Sequence, residues 1–339
     1  MEANGRRAEM ESIFKNGSLS PHGWVVRIAV SACLCMPVSF AAPQDPSKTA
    51  LTAATGIPAG VKTFATSQQA ADALISAAAQ FDDAALAQIF GSSGEDVVFT
   101  GEIPQDRRRA TDFAEKAHEK MSVSVEPKNG QRAFLLVGKE DWPFPVPIVK
   151  KGSRWFFDSK AGREELLNRR IGDNELDAIE ICHGYVEAQS EYALQKREGY
   201  DVNQYAQRII STPGKQDGLT WRNPDGTLGG PIGDKIAEAI AQGYSSKEEP
   251  YHGYFFKVLK GQGPAAPLGA LDYVIEGVMI GGFALVAAPA EYRVTGVKTF
   301  IVSNGGVVYE KDLGPSTLDE FKKMERFNPD KTWGPVEED

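Results

Sequence analysis

Apolar and polar positions along the chain form two successive series, each a set of helical patterns followed by strand patterns. In the first, Thr66 and Gln69 stand at the spacing of a capping box, which satisfies the free amides of a helix start. Ala70, Leu74, Ile75 and Ala78 then recur at helical spacing. Asp82-Asp83 opens a second short helix carrying Leu86, Ile89 and Phe90, and Gly91-Ser-Ser-Gly94 breaks it. Ala110, Phe113 and Ala117 mark a third helix ending near Lys120, with Arg107, Arg108, Arg109, Glu115 and Lys116 expected on its solvated side. Strand patterns follow. Met121-Ser-Val-Ser-Val125 alternates, Ala133-Phe-Leu-Leu-Val137 is a continuous apolar run, and Val146-Pro-Ile-Val149 and Trp155-Phe-Phe157 flank a turn at Lys150-Lys-Gly-Ser153.

The second series opens with a long helix expected over residues 174–197. Leu176, Ile179, Cys182, Val186, Gln189 and Ala193 form its stripe, and residues 169–173 are the expected hinge before it. A loop-rich stretch rich in Gly and Pro follows from Ser211, and a short helix is expected over 234–242. Strands come last, at 253–260, 283–288, 297–302 and 307–311. The last two are joined by Ser303-Asn-Gly-Gly306, whose Asn-Gly favours a tight turn. Residues 316–339 read as one short helix carrying Leu318, Phe321 and Met324, then a frayed end. Helices followed by a meander, twice over, predict an α+β chain of two domains, each with helices packed on a small antiparallel sheet. The expected bounds are 63–170 and 171–335.

The N-terminus has a different character. Arg6, Arg7, Lys15 and Arg27 precede the apolar run Ile28-Ala-Val-Ser-Ala-Cys-Leu-Cys-Met-Pro-Val-Ser-Phe40, and Ser39-Phe40-Ala41 places small residues at a cleavage site. That order is the pattern of a secretory signal, expected over residues 1–41. The run is shorter than the roughly 20 apolar residues of a spanning helix, so no membrane span is expected after cleavage. Residues 42–62, rich in Ala, Pro, Thr and Gly, read as a flexible lead-in. The expected location is therefore periplasmic or secreted. Of three cysteines, Cys33 and Cys35 would leave with the signal, and Cys182 would be buried without a disulfide. The chain holds 37 Lys plus Arg against 46 Asp plus Glu, a net charge of −9, and no run of five like charges. That balance argues against a nucleic-acid partner.

Five ordered stretches carry a resemblance: Gly138-Lys-Glu-Asp-Trp-Pro-Phe-Pro145, Gly162-Arg-Glu-Glu-Leu-Leu-Asn-Arg-Arg-Ile-Gly-Asp-Asn-Glu175, Ser211-Thr-Pro-Gly-Lys-Gln-Asp-Gly-Leu-Thr-Trp221, Pro250-Tyr-His-Gly-Tyr-Phe-Phe256 and Met279-Ile-Gly-Gly-Phe-Ala-Leu-Val-Ala287. Together they resemble the bacterial domain-of-unknown-function 2950 family. The resemblance implies an exported protein and no particular activity. The first half also resembles, in element order and its closing Trp155-Phe-Phe-Asp158 strand, the small cone-shaped domains of the nuclear-transport-factor-2 superfamily. In the second half, the long helix, Gly253-Tyr-Phe-Phe256, Ala288-Pro-Ala-Glu-Tyr-Arg-Val-Thr-Gly-Val-Lys-Thr-Phe300 and Asn304-Gly-Gly-Val-Val308 resemble the head domain of type IV pilin-like proteins. It departs from them in that a whole domain precedes the helix.

Candidate chemistry is sparse. His118, His183 and His252 are the histidines beyond residue 41, and no two lie at metal-ligand spacing. No nucleophile elbow, phosphate loop or dinucleotide fingerprint occurs, so no cofactor and no metal are expected. Two polar clusters stand out. Arg163, Glu164, Glu165, Arg169, Arg170, Asp173 and Glu175 read as a solvated face of ion pairs or as a lock between domains. Lys215, Asp217, Trp221, Tyr251, His252 and Tyr254 combine aromatics with a few polar groups on loops, a composition suited to glycan or peptide binding. The ligand-contact residues expected are Lys215, Asp217, Trp221, Tyr251 and His252, with the two segments that carry them brought together. The reading is a binding or assembly component of the cell envelope whose partner is an envelope protein, a peptide or a glycan. The alternative is an envelope hydrolase using carboxylates such as Asp217 or Glu164.

Overall fold

The computed structural model describes residues 56–92, 94–99, 101–196, 201–232 and 250–337. The leader expected over 1–41, most of the lead-in and the helix expected over 234–242 lie outside the described residues. The fold is α+β with antiparallel sheets. By contacts it divides into two compact units, residues 1–166 and 167–339.

In the first unit, α1 (Ser67–Gln80), α2 (Asp83–Phe90) and α3 (Ile103–Glu119) precede β1 (Met121–Val125), β2 (Arg132–Val137), β3 (Trp142–Pro143), β4 (Ile148–Lys151) and β5 (Arg154–Phe157). The caps are those the sequence predicts. Thr66 accepts from the Gln69 amide at 3.1 Å, and Asp82 accepts from the Ala85 amide at 3.0 Å. The strands run in the order β1-β2-β4-β5, with β3 beside β2. Period-two alternation sends Ala133, Leu135 and Val137 into a core with Leu74, Ile89, Phe90 and Phe113 from the helices. Arg109 departs from expectation. It is buried beside Asp106, 3.9 Å away, because positions 106, 109, 113 and 117 share the inward stripe of α3.

A larger departure concerns α4 (Ser159–Tyr192), which is one unbroken helix. Its residues up to Leu166 belong to the first unit and those from Leu167 to the second. Residues 169–173, expected as a hinge, are helical turns. No proline interrupts them, and Gly172 costs only about 1 kcal/mol in a helix interior. The buried stripe is also rotated from the predicted one. Ala178, Ile181, Cys182, Tyr185, Ala188, Gln189 and Tyr192 face inward, while Leu176 is 51% exposed. The two tyrosines can be buried because their hydroxyls find partners. Tyr192 donates to Gln216 O at 2.8 Å, and Tyr185 accepts from Gln189 Nε2 at 2.9 Å.

The rest of the second unit comprises β6 (Trp221–Arg222), β7 (Leu228–Gly229), β8 (Tyr254–Leu259), β9 (Gly261–Gln262), β10 (Leu271–Asp272), β11 (Val274–Ile275), β12 (Val278–Met279), β13 (Ala284–Pro289), β14 (Lys298–Ser303), β15 (Val308–Asp312), α5 (Thr317–Lys323) and β16 (Gly334–Pro335). The main sheet has the order β16-β15-β14-β13-β8. All six residues of β13 are buried, as befits a central strand covered on both faces. The inward stripe of α4 shares a core with Leu285, Val286, Phe300 and Val302. As far as residue 337 the C-terminal tail, expected to fray, is held in place. Val336 N–H donates to Val308 O at 2.9 Å, and Trp333 and Val336 pack against this core, which holds β16 beside β15.

Candidate functional site

Residues 211–221 form a closed loop. Ser211 N–H donates to Thr220 O at 2.8 Å and Thr220 N–H to Ile209 O at 2.9 Å, which brings the loop ends together. Asp217 lies inside this closure. One carboxylate oxygen accepts from the Thr212 amide at 2.7 Å, and the other accepts from the Thr212 hydroxyl at 2.8 Å. Burial pushes the Asp217 carboxyl up, but the two Thr212 bonds and nearby Arg208 outweigh it and hold it below the ordinary aspartate value. Ser211 Oγ accepts from the Gly218 amide at 2.9 Å, and the Tyr192 hydroxyl from α4 fixes the Gln216 carbonyl. Lys215 closes a turn through its amide, bonded to Thr212 O at 2.9 Å, and its side chain is exposed.

Trp221 continues from this loop into the β6–β7 hairpin, opposite Gly229. It is half-buried. A Cβ at position 229 would meet Trp221 Nε1 at 2.8 Å, so the indole lies across the space that only glycine leaves open. The hairpin turn is tied by Asp225, which accepts from the Thr227 amide at 3.0 Å and hydroxyl at 2.6 Å. Those two bonds hold the Asp225 carboxyl below its ordinary value.

Tyr251 and His252 belong to a different locality. Residues 251–254 make a tight reversal in which the Tyr251 amide donates to Tyr254 O at 3.1 Å and the Tyr254 amide to Tyr251 O at 2.8 Å. His252 and Gly253 have φ of 41° and 74°, the left-handed pair that such reversals use. The His252 ring stacks on Tyr251, with centroids 4.1 Å apart, and its Nδ1 meets the Asp177 carboxylate of α4. The helix grips neighbouring segments too. Asn174 donates to Thr295 O at 2.8 Å, and Glu175 accepts from the amides of Val297 and Lys298 at 2.8 and 3.0 Å. Burial and the neighbouring Asp177 raise the Asp173 carboxyl, and Arg169 opposes them.

The five expected contact residues are therefore held in two places. The 211–221 loop is bonded to α4 at Tyr192, and the 251–254 turn is bonded to it at Asp177. At ~1.5 Å rise per residue those anchors stand about 22 Å apart along the helix axis. Asp217 and His252 each hold their own backbone segment in place, whereas the Lys215 side chain is exposed and Trp221 is half-buried. Sequence reading missed Asn174 and Asp177 as anchors; it placed Glu175 in the charged cluster and Gln189 in the helix stripe, without their backbone partners. The Gln189 amide is fully buried and bonds both the carbonyl and the amide of Ala206, each at 2.8 Å. Its place in the stripe, as a polar residue among apolar ones, is the signal that it needs buried hydrogen-bond partners.

Of the first polar cluster, Arg163 pairs with Asp96 at 2.9 Å and Glu164 is exposed. The first unit also has a small apolar cleft lined by Leu74, Phe81, Leu86, Phe99, Phe113 and Phe144, with buried Asp106 in its wall. Among the described residues no three His, Cys, Asp or Glu side chains converge as a metal-holding group, and no helix is long and apolar enough to cross a membrane.

Fold and site together define an α+β protein of two compact units, with a loop on the second closed by the hydrogen bonds of Asp217 and Ser211. Comparison places it further. The family model described as "Protein of unknown function (DUF2950)" matches residues 61–336, and the chain belongs to that family. No curated protein and no solved structure matches the chain.

Proposed function

We propose that this is an exported cell-envelope protein, cleaved after Ala41, whose body binds a peptide or glycan of the envelope through the surface formed by Lys215 and Trp221. The observation that carries the reading is the closed 211–221 loop. Asp217, Ser211 and Tyr192 fix its backbone, so Lys215 and the half-buried Trp221 ring are presented without the entropy loss that a mobile loop meets on binding. An indole ring suits sugar rings, and an exposed lysine suits the acidic and carbonyl groups of a peptide. The carboxylates of the hydrolase alternative do not favour it. Both oxygens of Asp217 are occupied by Thr212, and Glu164 is an exposed helix residue. Binding to envelope fragments, compared between wild type and Trp221→Ala, tests the reading of the loop. Export rests on the basic, apolar, small-residue order of residues 6–41. Intact-mass measurement of natively produced protein is expected to give a chain starting at Ala42, and a mature chain that still contains Trp24 contradicts export with cleavage.

A further inference from the structure

Strand β1 is the end of its sheet, with β2 on one side and no strand on the other among the described residues. The ladder decides which backbone groups face that open side. Gly138 N–H donates to Lys120 O at 2.9 Å, and Glu126 N–H donates to Arg132 O at 2.8 Å. In an antiparallel pair, residues that exchange bonds alternate with residues that point away. Positions 120, 122, 124 and 126 therefore bond inward to β2 and its flanks. Met121, Val123 and Val125 aim their N–H and C=O groups outward. The side chains alternate as well. Met121 and Val123 pack against the first core, Val125 is 45% exposed, and Ser122 and Ser124 are exposed on the other face.

The chemistry of this segment is symmetric about Val123. A two-fold axis there sets Met121 opposite Val125, Ser122 opposite Ser124 and Lys120 opposite Glu126. The axis pairs odd positions with odd positions, so outward groups meet outward groups. Each face matches itself, with Met and Val on the core side and serines between opposite charges on the other. We propose that β1 is the surface at which a second copy of this chain docks, antiparallel and centred on Val123, making one continuous sheet across the two copies. A two-fold interface must be self-complementary, and this edge is self-complementary in hydrogen-bond parity and side-chain face; in charge, the Lys120 ammonium, which bonds Asp141 of its own chain at 2.6 Å, would have Glu126 of the second copy opposite it. Pro127 lacks an N–H and closes the edge just beyond Glu126, which limits the pairing to this short stretch. The proposal is independent of the ligand reading of the 211–221 loop.

Sedimentation of the mature chain tests it. The wild type is expected to be a dimer at about 0.1 mM, a concentration suited to a modest interface. Val123→Pro removes an outward N–H and trades one small apolar side chain on the core for another, with the β1–β2 bonds kept, so it is expected to be monomeric in sedimentation and folded by circular dichroism. Lys120→Glu and Glu126→Lys each put like charges opposite one another and are expected to raise the dimer Kd about tenfold. Mixed in equal amounts, these two variants place Glu opposite Lys at both ends, and the mixture is expected to recover dimerisation. A monomeric wild type at that concentration overturns the proposal. So does a folded Val123→Pro that still dimerises, or a mixture no tighter than either charge variant alone. The mixing arm does not depend on Val123→Pro folding.

Discussion

Asp217 and Cys182 are the residues whose chemistry most clearly follows from their surroundings. The Asp217 carboxylate closes the 211–221 loop through two bonds to Thr212. Asp217→Ala should cost about 1 kcal/mol at neutral pH, a discounted value for bonds at a partly exposed site. Its folded pKa is depressed, so the contribution is present above the unfolded value and is lost as pH falls through the folded one. Chemical denaturation of wild type and variant should therefore show a gap at pH 7 that closes in acid. A gap that persists unchanged in acid would assign the effect to packing instead. Cys182 is fully buried, and burial pushes its thiol up from 9.0 to about 12. A native thiol-labelling assay should show modification only on unfolding, and rapid native labelling would contradict the burial. The folded pKa is raised, so the stability linked to this group is intact below pH 9.0 and is lost as pH climbs toward about 12.

At the scale of elements, the capping residues Thr66 and Asp82, the alternation of β1 and the helical spacing in α1 were all legible, because each is a local pattern with a local cause. What was not legible depended on distant partners. On the inward face of α4, Gln189 and Tyr192 find hydrogen-bond partners at Ala206 and Gln216, beyond the end of the helix. The order at Gly334–Pro335 comes from Val308 and the core beneath it. The same limit applied to the candidate site. The chemistry of Lys215, Asp217, Trp221, Tyr251 and His252 could be read, but not that Tyr192 and Asp177 tether their segments to separate stretches of one helix. The continuity of α4 through residues 169–173 has a direct test. A Cβ at Gly172 would meet nothing within 4 Å, so Gly172→Ala should stabilise the helix by about 0.5–1 kcal/mol and raise Tm by roughly 2 °C. A fall in Tm would mean that residue 172 needs a backbone conformation alanine cannot adopt.

For the whole molecule, membership of the DUF2950 family covers nearly all of the described chain, and the α+β character of both units agrees with the order of patterns in the sequence. In each unit helices share a core with a small antiparallel sheet, while the pilin-head and cone-domain resemblances are expectations from the sequence that no solved structure supports. The proposed function is recognition of an envelope peptide or glycan through the loop that Asp217 closes. The most direct measurement is calorimetric titration of the mature chain with soluble peptidoglycan fragments, which contain both sugar and peptide, followed by mass spectrometry of the fragments. The account predicts saturable binding, weakened about tenfold or more by Trp221→Ala with the fold unchanged, and fragments recovered intact. Equal binding by both proteins, no binding by the wild type, or fragments cleaved with turnover would contradict it.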